Sequence, residues 1–167
     1  ILERLIDACN KVLDVFAIGE DEEMSLEELS RLVHDPLPVP LTVRVPVGGG
    51  IHAPELHSDS PEAIYAHHPG LKVVMPARPY DAKGLLKAAI RDDNPVVFIE
   101  HKYLYRRAKG PVPEGDDIVP IGQAAIRRDG GDITAITYGA MVTPTLEAAD
   151  RLAKEGVEVE VIDLRTL

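Results

Sequence analysis

The sequence predicts an α/β protein with a parallel sheet and flanking helices. Three observations carry this. Short runs rich in Val, Ile and Thr alternate with segments of helical apolar spacing. Capping residues open those segments, and Gly or Pro closes them. Aromatic residues are only 4% of the chain and Trp is absent, so the core is aliphatic.

Residues 1–17 place Leu2, Leu5, Ile6, Cys9, Val12, Leu13 and Phe16 at helical spacing, which predicts an amphipathic helix. After the acidic break Glu20–Glu23, Ser25 and Glu28 form a Ser-x-x-Glu capping box for a second short helix ending near His34. Asp35-Pro36-Leu37-Pro38-Val39-Pro40 then predicts an extended linker. Leu41–Val45 reads as a buried parallel strand, closed by Gly48-Gly49-Gly50.

Downstream, Ser60 is the expected cap of a helix with Pro61 at its first position and Glu62 near its positive end, running to His68-Pro69-Gly70. Leu71–Met75 is the next strand. Pro79 and Asp81 open a helix whose predicted buried side is Ala82, Leu85, Leu86, Ala89 and Ile90. Asp92-Asp93-Asn94-Pro95 ends it, and Val96–Ile99 is a strand, which completes a parallel crossover. Lys109–Glu114 reads as an exposed connection. Ile133–Tyr138, a helix opened by Thr143-Pro144 and stopped by Gly156, and Val157–Ile162 form a further βαβ unit. The expected domains are 1–38, a helical segment; 39–110, an α/β unit; 111–117, a linker; and 118–167, the start of a second α/β unit. Helical spacing at Ile1 and a strand close to Leu167 predict a piece of a longer polypeptide.

The gross numbers exclude several classes. A formal net charge of −10 disfavours nucleic acid, because phosphate repulsion opposes binding. No apolar run approaches the ~20 residues that span a bilayer. The lone Cys9 allows no internal disulfide and fits a reducing compartment, as in cytoplasm or a mitochondrial matrix.

His57 is the leading chemical candidate. It stands in Leu56-His57-Ser58-Asp59-Ser60, in a turn before a helix start, where α/β enzymes keep their chemistry. Histidine moves protons near neutral pH. The competing reading is a ring that packs the turn. The triple glycine is not a phosphate loop, since neither Gly-x-x-x-x-Gly-Lys nor Gly-x-Gly-x-x-Gly is present. His52, His67 and His68 lack the converging ligands that zinc requires. Asp92, Asp93 and Asn94 cap a helix end against its dipole. That leaves two readings open, simple solvation or a hard cation held by oxygen. Glu100–Arg107 is a charged run that reads as an edge or an interface.

His57-Ser58 with Ser60-Pro61-Glu62-Ala63, Pro69-Gly70-Leu71-Lys72-Val73-Val74, Pro79-Tyr80-Asp81-Ala82-Lys83-Gly84-Leu85-Leu86, Asp92 with Asn94-Pro95, and Val161-Ile162-Asp163-Leu164-Arg165-Thr166 occur in order. From about Val39 onward the chain resembles the β subunits of the thiamine-diphosphate-dependent decarboxylating component of 2-oxo acid dehydrogenase complexes, of pyruvate or branched-chain type. The resemblance implies part of a transketolase-like pyrimidine-binding domain followed by the start of a transketolase C-terminal-type domain. It implies oxidative decarboxylation of a 2-oxo acid with acyl transfer to a lipoyl group on the acyltransferase component. His57 would be the acid of the lipoyl step. Thiamine diphosphate and Mg²⁺ would be shared with an α subunit in a heterotetramer, with no cofactor-binding residue on this chain. K⁺ would be held by Leu41, Thr42, Ala89, Asp92 and Asn94, the first three through backbone carbonyls. Residues 1–38 do not resemble the family's upstream region, and Leu56 and Asp59 depart from its histidine turn. An alternative is therefore a non-catalytic assembly or regulatory module of the same fold.

Overall fold

The computed structural model describes residues 38–51 and 58–167. The two expected N-terminal helices, and the expectations for His52, Leu56 and His57, lie outside the described residues. The first sheet is fully parallel, with strands β1 (Thr42–Val47), β2 (Lys72–Val74) and β3 (Val96–His101) in the order β1-β3-β2. The helix α1 (Glu62–Ala66) links β1 to β2, and α2 (Pro79–Arg91) links β2 to β3. β3 is central and buried along Val96–Glu100, as a continuous apolar run predicts for a strand covered on both faces.

Among the described residues β1 is an edge strand. Leu41 and Val43 are more than two fifths exposed, which corrects the expectation of a buried strand. On one face of the sheet Val74, Leu85, Ala89, Val96 and Phe98 form a core that also takes in Val119. On the other face Val47, Val73, Met75, Val97 and Ile99 pack with Tyr65, Tyr138 and Leu167. Burying a side chain such as Leu85 stabilises the fold by about 2 kcal/mol.

α2 turns Asp81, Gly84, Leu85 and Ala89 inward, positions that share one face of a 3.6-residue helix. Ile90 lies about 100° further round and is 61% exposed, so its expected burial is corrected. Gly84 is required where α2 meets Val119. A Cβ there would stand 2.5 Å from Val119 Cγ2 and 2.8 Å from its backbone nitrogen.

The second sheet contains β4 (Ala125–Arg128), β5 (Ile133–Thr137) and β6 (Val159–Asp163) in the order β4-β6-β5. β5 and β6 are parallel across helix α3 (Val142–Ala153), as expected. β4 runs antiparallel to β6 with a register shift between Ile126 and Arg128, and its short charged sequence carried no strand signal. α3 starts from a 3-10 turn at Gly139–Met141, so Thr143 lies inside the helix and does not cap it. Pro61, not Ser60, occupies the cap position of α1, with no side-chain cap bond.

The chain's last residues join the two sheets. Met75 N donates to Arg165 O at 2.9 Å, Leu167 N donates to Val73 O at 2.9 Å, and Val74 bridges Thr166. β2 thereby gains a partner on its outer edge. Beneath that seam lies an ionic cluster. Asp81 accepts from Arg127 and, at 3.1 Å, from Arg165 Nη1, and Arg127 Nη2 also donates to Asp163 Oδ2 at 2.7 Å. Both carboxylates are fully buried. Arg165 adopts φ +60°, a left-handed conformation uncommon outside glycine. Its guanidinium is held in three directions, by Asp81 and by the carbonyls of Gln123 at 2.9 Å and Ala124 at 3.1 Å. No helix among the described residues is long and apolar enough to cross a membrane.

Candidate active site

The carboxyl ends of β1 and β3 and the start of α1 converge, where parallel α/β sheets place their sites. Gly48 ends β1 at φ +94°, and its N–H donates to Asp59 O at 3.0 Å. That bond ties Asp59, two residues after His57, to the residue that opens the loop. The His101 ring at the end of β3 lies directly against Gly48. A Cβ on Gly48 would come 2.2 Å from His101 Nε2, so only glycine allows the approach.

Around this point stand groups from both halves of the chain. Tyr138 Oη, from the second half, donates to Glu62 Oε1 at 3.4 Å. Glu62 Oε2 and His101 Nδ1 are buried with no hydrogen-bond partner among the described residues. Burial pushes the His101 imidazole below its ordinary value, and the Glu62 carboxylate partly opposes this, so the ring is favoured neutral at pH 7. Burial, then the Glu62 charge, pushes the Tyr138 phenol up.

A cavity of about 370 Å³ opens beside this cluster, floored by Phe98, Leu86 and Leu104. At its mouth Arg44 Nε donates to Glu100 Oε1 at 2.5 Å, and Tyr105 Oη donates to Glu100 Oε2. Burial works to raise the Glu100 pKa, but the bonds from Arg44 and Tyr105 outweigh it and hold the carboxyl below its ordinary range. Burial and the Glu100 charge push Tyr105 up to about 12. An ionised Glu100 and a protonated Tyr105 are thus locked together at neutral pH.

The structure brings the predicted cation residues to the opposite end of the sheet. Leu41 O accepts from Val96 N at 2.8 Å, and Thr42 pairs with Val96 in the β1–β3 ladder. Ala89 O accepts from Asp92 N at 3.3 Å. Asn94 donates to Asp92 Oδ1 from its backbone at 2.9 Å and from its side chain at 3.1 Å. The Asp92 carboxylate also takes the Lys72 ammonium, at 2.8 and 2.7 Å. Burial works against ionisation of Asp92, yet Lys72 and the Asn94 N–H groups keep it below its ordinary range. The counter-charge that the acidic helix end calls for is therefore provided by a side chain. No cluster of three His, Cys, Asp or Glu fit for a metal occurs among the described residues.

Sequence reasoning singled out neither the Glu62–His101–Tyr138 cluster nor the Arg44–Glu100–Tyr105 one. One signal was available for the second. Glu100 ends an apolar β3 run, and a charge there must find a partner at the sheet's carboxyl edge.

Comparison with known proteins agrees with this geometry. The family profile described as "Transketolase, pyrimidine binding domain" matches residues 29–108, and "Transketolase, C-terminal domain" matches residues 122–167. The chain is 58% identical over 128 residues to the 2-oxoisovalerate dehydrogenase subunit beta of Bacillus subtilis (strain 168). It is 56% identical over 128 residues to the pyruvate dehydrogenase E1 component subunit beta of the same organism. Each match takes in 77% of this chain but 39% of the relative, so the chain spans about two fifths of the curated relatives' length. Among solved structures, a split-gene transketolase described as an inactive beta4 tetramer aligns with TM-score 0.62 at 22% identity, covering 92% of this chain and 47% of that one. A transketolase from Pichia stipitis aligns with TM-score 0.58 at 22% identity, covering 83% of this chain and 20% of that one. These two likenesses concern the fold. The chain belongs to the transketolase-like family, carrying a pyrimidine-binding domain followed by the start of a C-terminal domain, and over 77% of its length it is similar to β subunits of 2-oxo acid dehydrogenases.

Proposed function

We propose that this chain is the β-subunit part of a 2-oxo acid dehydrogenase, which decarboxylates a 2-oxo acid oxidatively and passes the acyl unit to a lipoyl group on an acyltransferase component. The supporting observation is the 55–58% identity to β subunits named for pyruvate and for 2-oxoisovalerate. The partners are an α subunit, in a heterotetramer, and the lipoyl-bearing component. Thiamine diphosphate with Mg²⁺, held by the α subunit and by residues outside this stretch, supplies the electron sink for decarboxylation. The cellular setting is the cytoplasm.

His57 is the proposed acid. Its imidazolium donates a proton to the sulfur that leaves when the lipoyl disulfide opens, while the other sulfur takes the acyl group. The Gly48–Asp59 bond and the His101 ring brace the base of the turn that carries it. In a reconstituted full-length assembly, His57→Ala is expected to slow lipoyl acylation by ~10²–10⁴-fold, the usual weight of a general acid. Decarboxylation with an artificial electron acceptor should change far less. Equal rates for variant and parent in the lipoyl assay would remove His57 from the mechanism.

For the proposed potassium site, Leu41, Thr42 and Ala89 offer carbonyls, and Asp92 and Asn94 offer side-chain oxygens. Lys72 competes for Asp92. Lys72→Met should therefore make thermal stability rise with added KCl more than with NaCl. An identical response to the two salts would leave the helix end as a capped, lysine-paired terminus.

A further inference from the structure

We propose that the cleft between the two halves of the chain is a binding site for a phosphate-bearing small molecule of nucleotide size. The cleft has a volume of about 780 Å³, within the range of small-molecule sites. Its charged lining is Arg78, Asp81, Arg107, Lys109 and Arg127, drawn from the start of α2, the connector after β3, and β4.

The charges are not equivalent. Arg127 and Asp81 belong to the buried cluster completed by Asp163 and Arg165, two carboxylates against two guanidinium groups, which is neutral as a unit. Arg78, Arg107 and Lys109 are left over. Among the described residues none of the three has an ion pair. Three uncompensated cations thus face one cleft on a chain whose net charge is −10. Such a local inversion of sign concentrates anions.

Arg107 is already oriented. Its Nη1 donates to Tyr103 Oη, and its guanidinium carbon sits 3.9 Å from the Tyr103 ring centroid. That contact turns the Arg107 guanidinium toward Tyr103, so Arg78 and Lys109 are the cations left to meet a phosphate in the cleft. The rest of the wall is apolar or flat, with Tyr80, Pro79, Pro111 and Leu146. A ligand with a planar organic portion beside its phosphates would use both surfaces. A carboxylate of few atoms would use only the cations.

The proposal does not rest on the chemistry proposed at His57, so it is tested by itself. The full 167-residue chain is titrated calorimetrically with inorganic pyrophosphate and with adenosine diphosphate, at 50 and 200 mM NaCl. Both should bind saturably. The nucleotide should bind at least about threefold more tightly, and raised salt should weaken both. Arg78→Gln should weaken each at least about fivefold, and adding Lys109→Gln should bring loss beyond 10 mM. Lys154→Gln, a charge removed from the exposed C-cap of α3, should change neither. Arg78 and Lys109 are exposed, so the variants should keep the parent's circular dichroism spectrum. Absence of saturable binding up to 10 mM, binding indifferent to the Arg78 and Lys109 changes, or a nucleotide no tighter than pyrophosphate would each overturn the proposal.

Discussion

Replacing Asp81 by Ala tests whether the ionic cluster holds the two halves together. Asp81 is fully buried and accepts from two guanidinium groups that lie 46 and 84 residues away in sequence. In the parent, Asp81 and Asp163 balance Arg127 and Arg165. The variant leaves one net positive charge where Arg127 and Arg165 are only about a tenth exposed. Removing one partner of such a buried set costs about 3–5 kcal/mol, whereas an exposed pair would cost about 0–1 kcal/mol. At roughly 2–4 °C per kcal/mol for a chain of this size, the melting temperature should fall by about 6–20 °C. The assay is differential scanning calorimetry at pH 7 in low and high salt, with the double variant Asp81→Ala/Arg127→Ala alongside. Because the second change removes the orphaned charge, the double variant should lose less than the sum of the two single losses. A loss under 1 kcal/mol for Asp81→Ala, or strict additivity, would refute the reasoning and reduce the cluster to a solvated surface network.

Other outcomes follow from the same packing. Gly84→Ala would stabilise an ordinary helix interior by about 1 kcal/mol. Here it should destabilise, because the new methyl meets the Val119 backbone, and chemical denaturation measures the sign. Gly48→Ala meets both a φ of +94° and the His101 ring, so it should cost about 2 kcal/mol or more, and it should disturb lipoyl acylation in the assembled enzyme. Stability should depend on pH with two opposite signs. Asp92 and Glu100 have lowered folded values, so their contribution is present above the unfolded carboxylate range and is lost as pH falls through those folded values. Asp163 is raised, by burial first, so its contribution is complete below the unfolded value of 3.8 and lost as pH rises through the folded value. Asp163→Asn imitates the protonated form. Its melting temperature relative to the parent should therefore rise as the pH is raised above the unfolded value, and a flat or falling difference would contradict the assignment.

The local grammar of the chain was largely legible. Pro79 sits in the first turn of α2, the Val-rich runs are β2, β3 and β6, and the crossover through α2 is parallel, because dihedral preference and apolar period act over a few neighbouring residues. The site was legible only as a location. The turn around His57 announced itself by its motif, but its side chain lies outside the described residues. Asp81 read as a helix-opening carboxylate, which it is, and nothing nearby in sequence shows that it is also the buried partner of Arg127 and Arg165.

What the sequence by itself determined is therefore the order of strands and helices and the family to which they belong. Tertiary structure alone decided that β1 lies at the edge of the described sheet, that a charged stretch becomes β4, that Ile90 faces out, and that Lys72 stands on Asp92. It also gathered Glu62, His101 and Tyr138 at one sheet end. The physical reason is range. Caps and periodicity are set by neighbours a turn apart, whereas burial and charge pairing are settled by whichever distant segment covers a group once the sheets close.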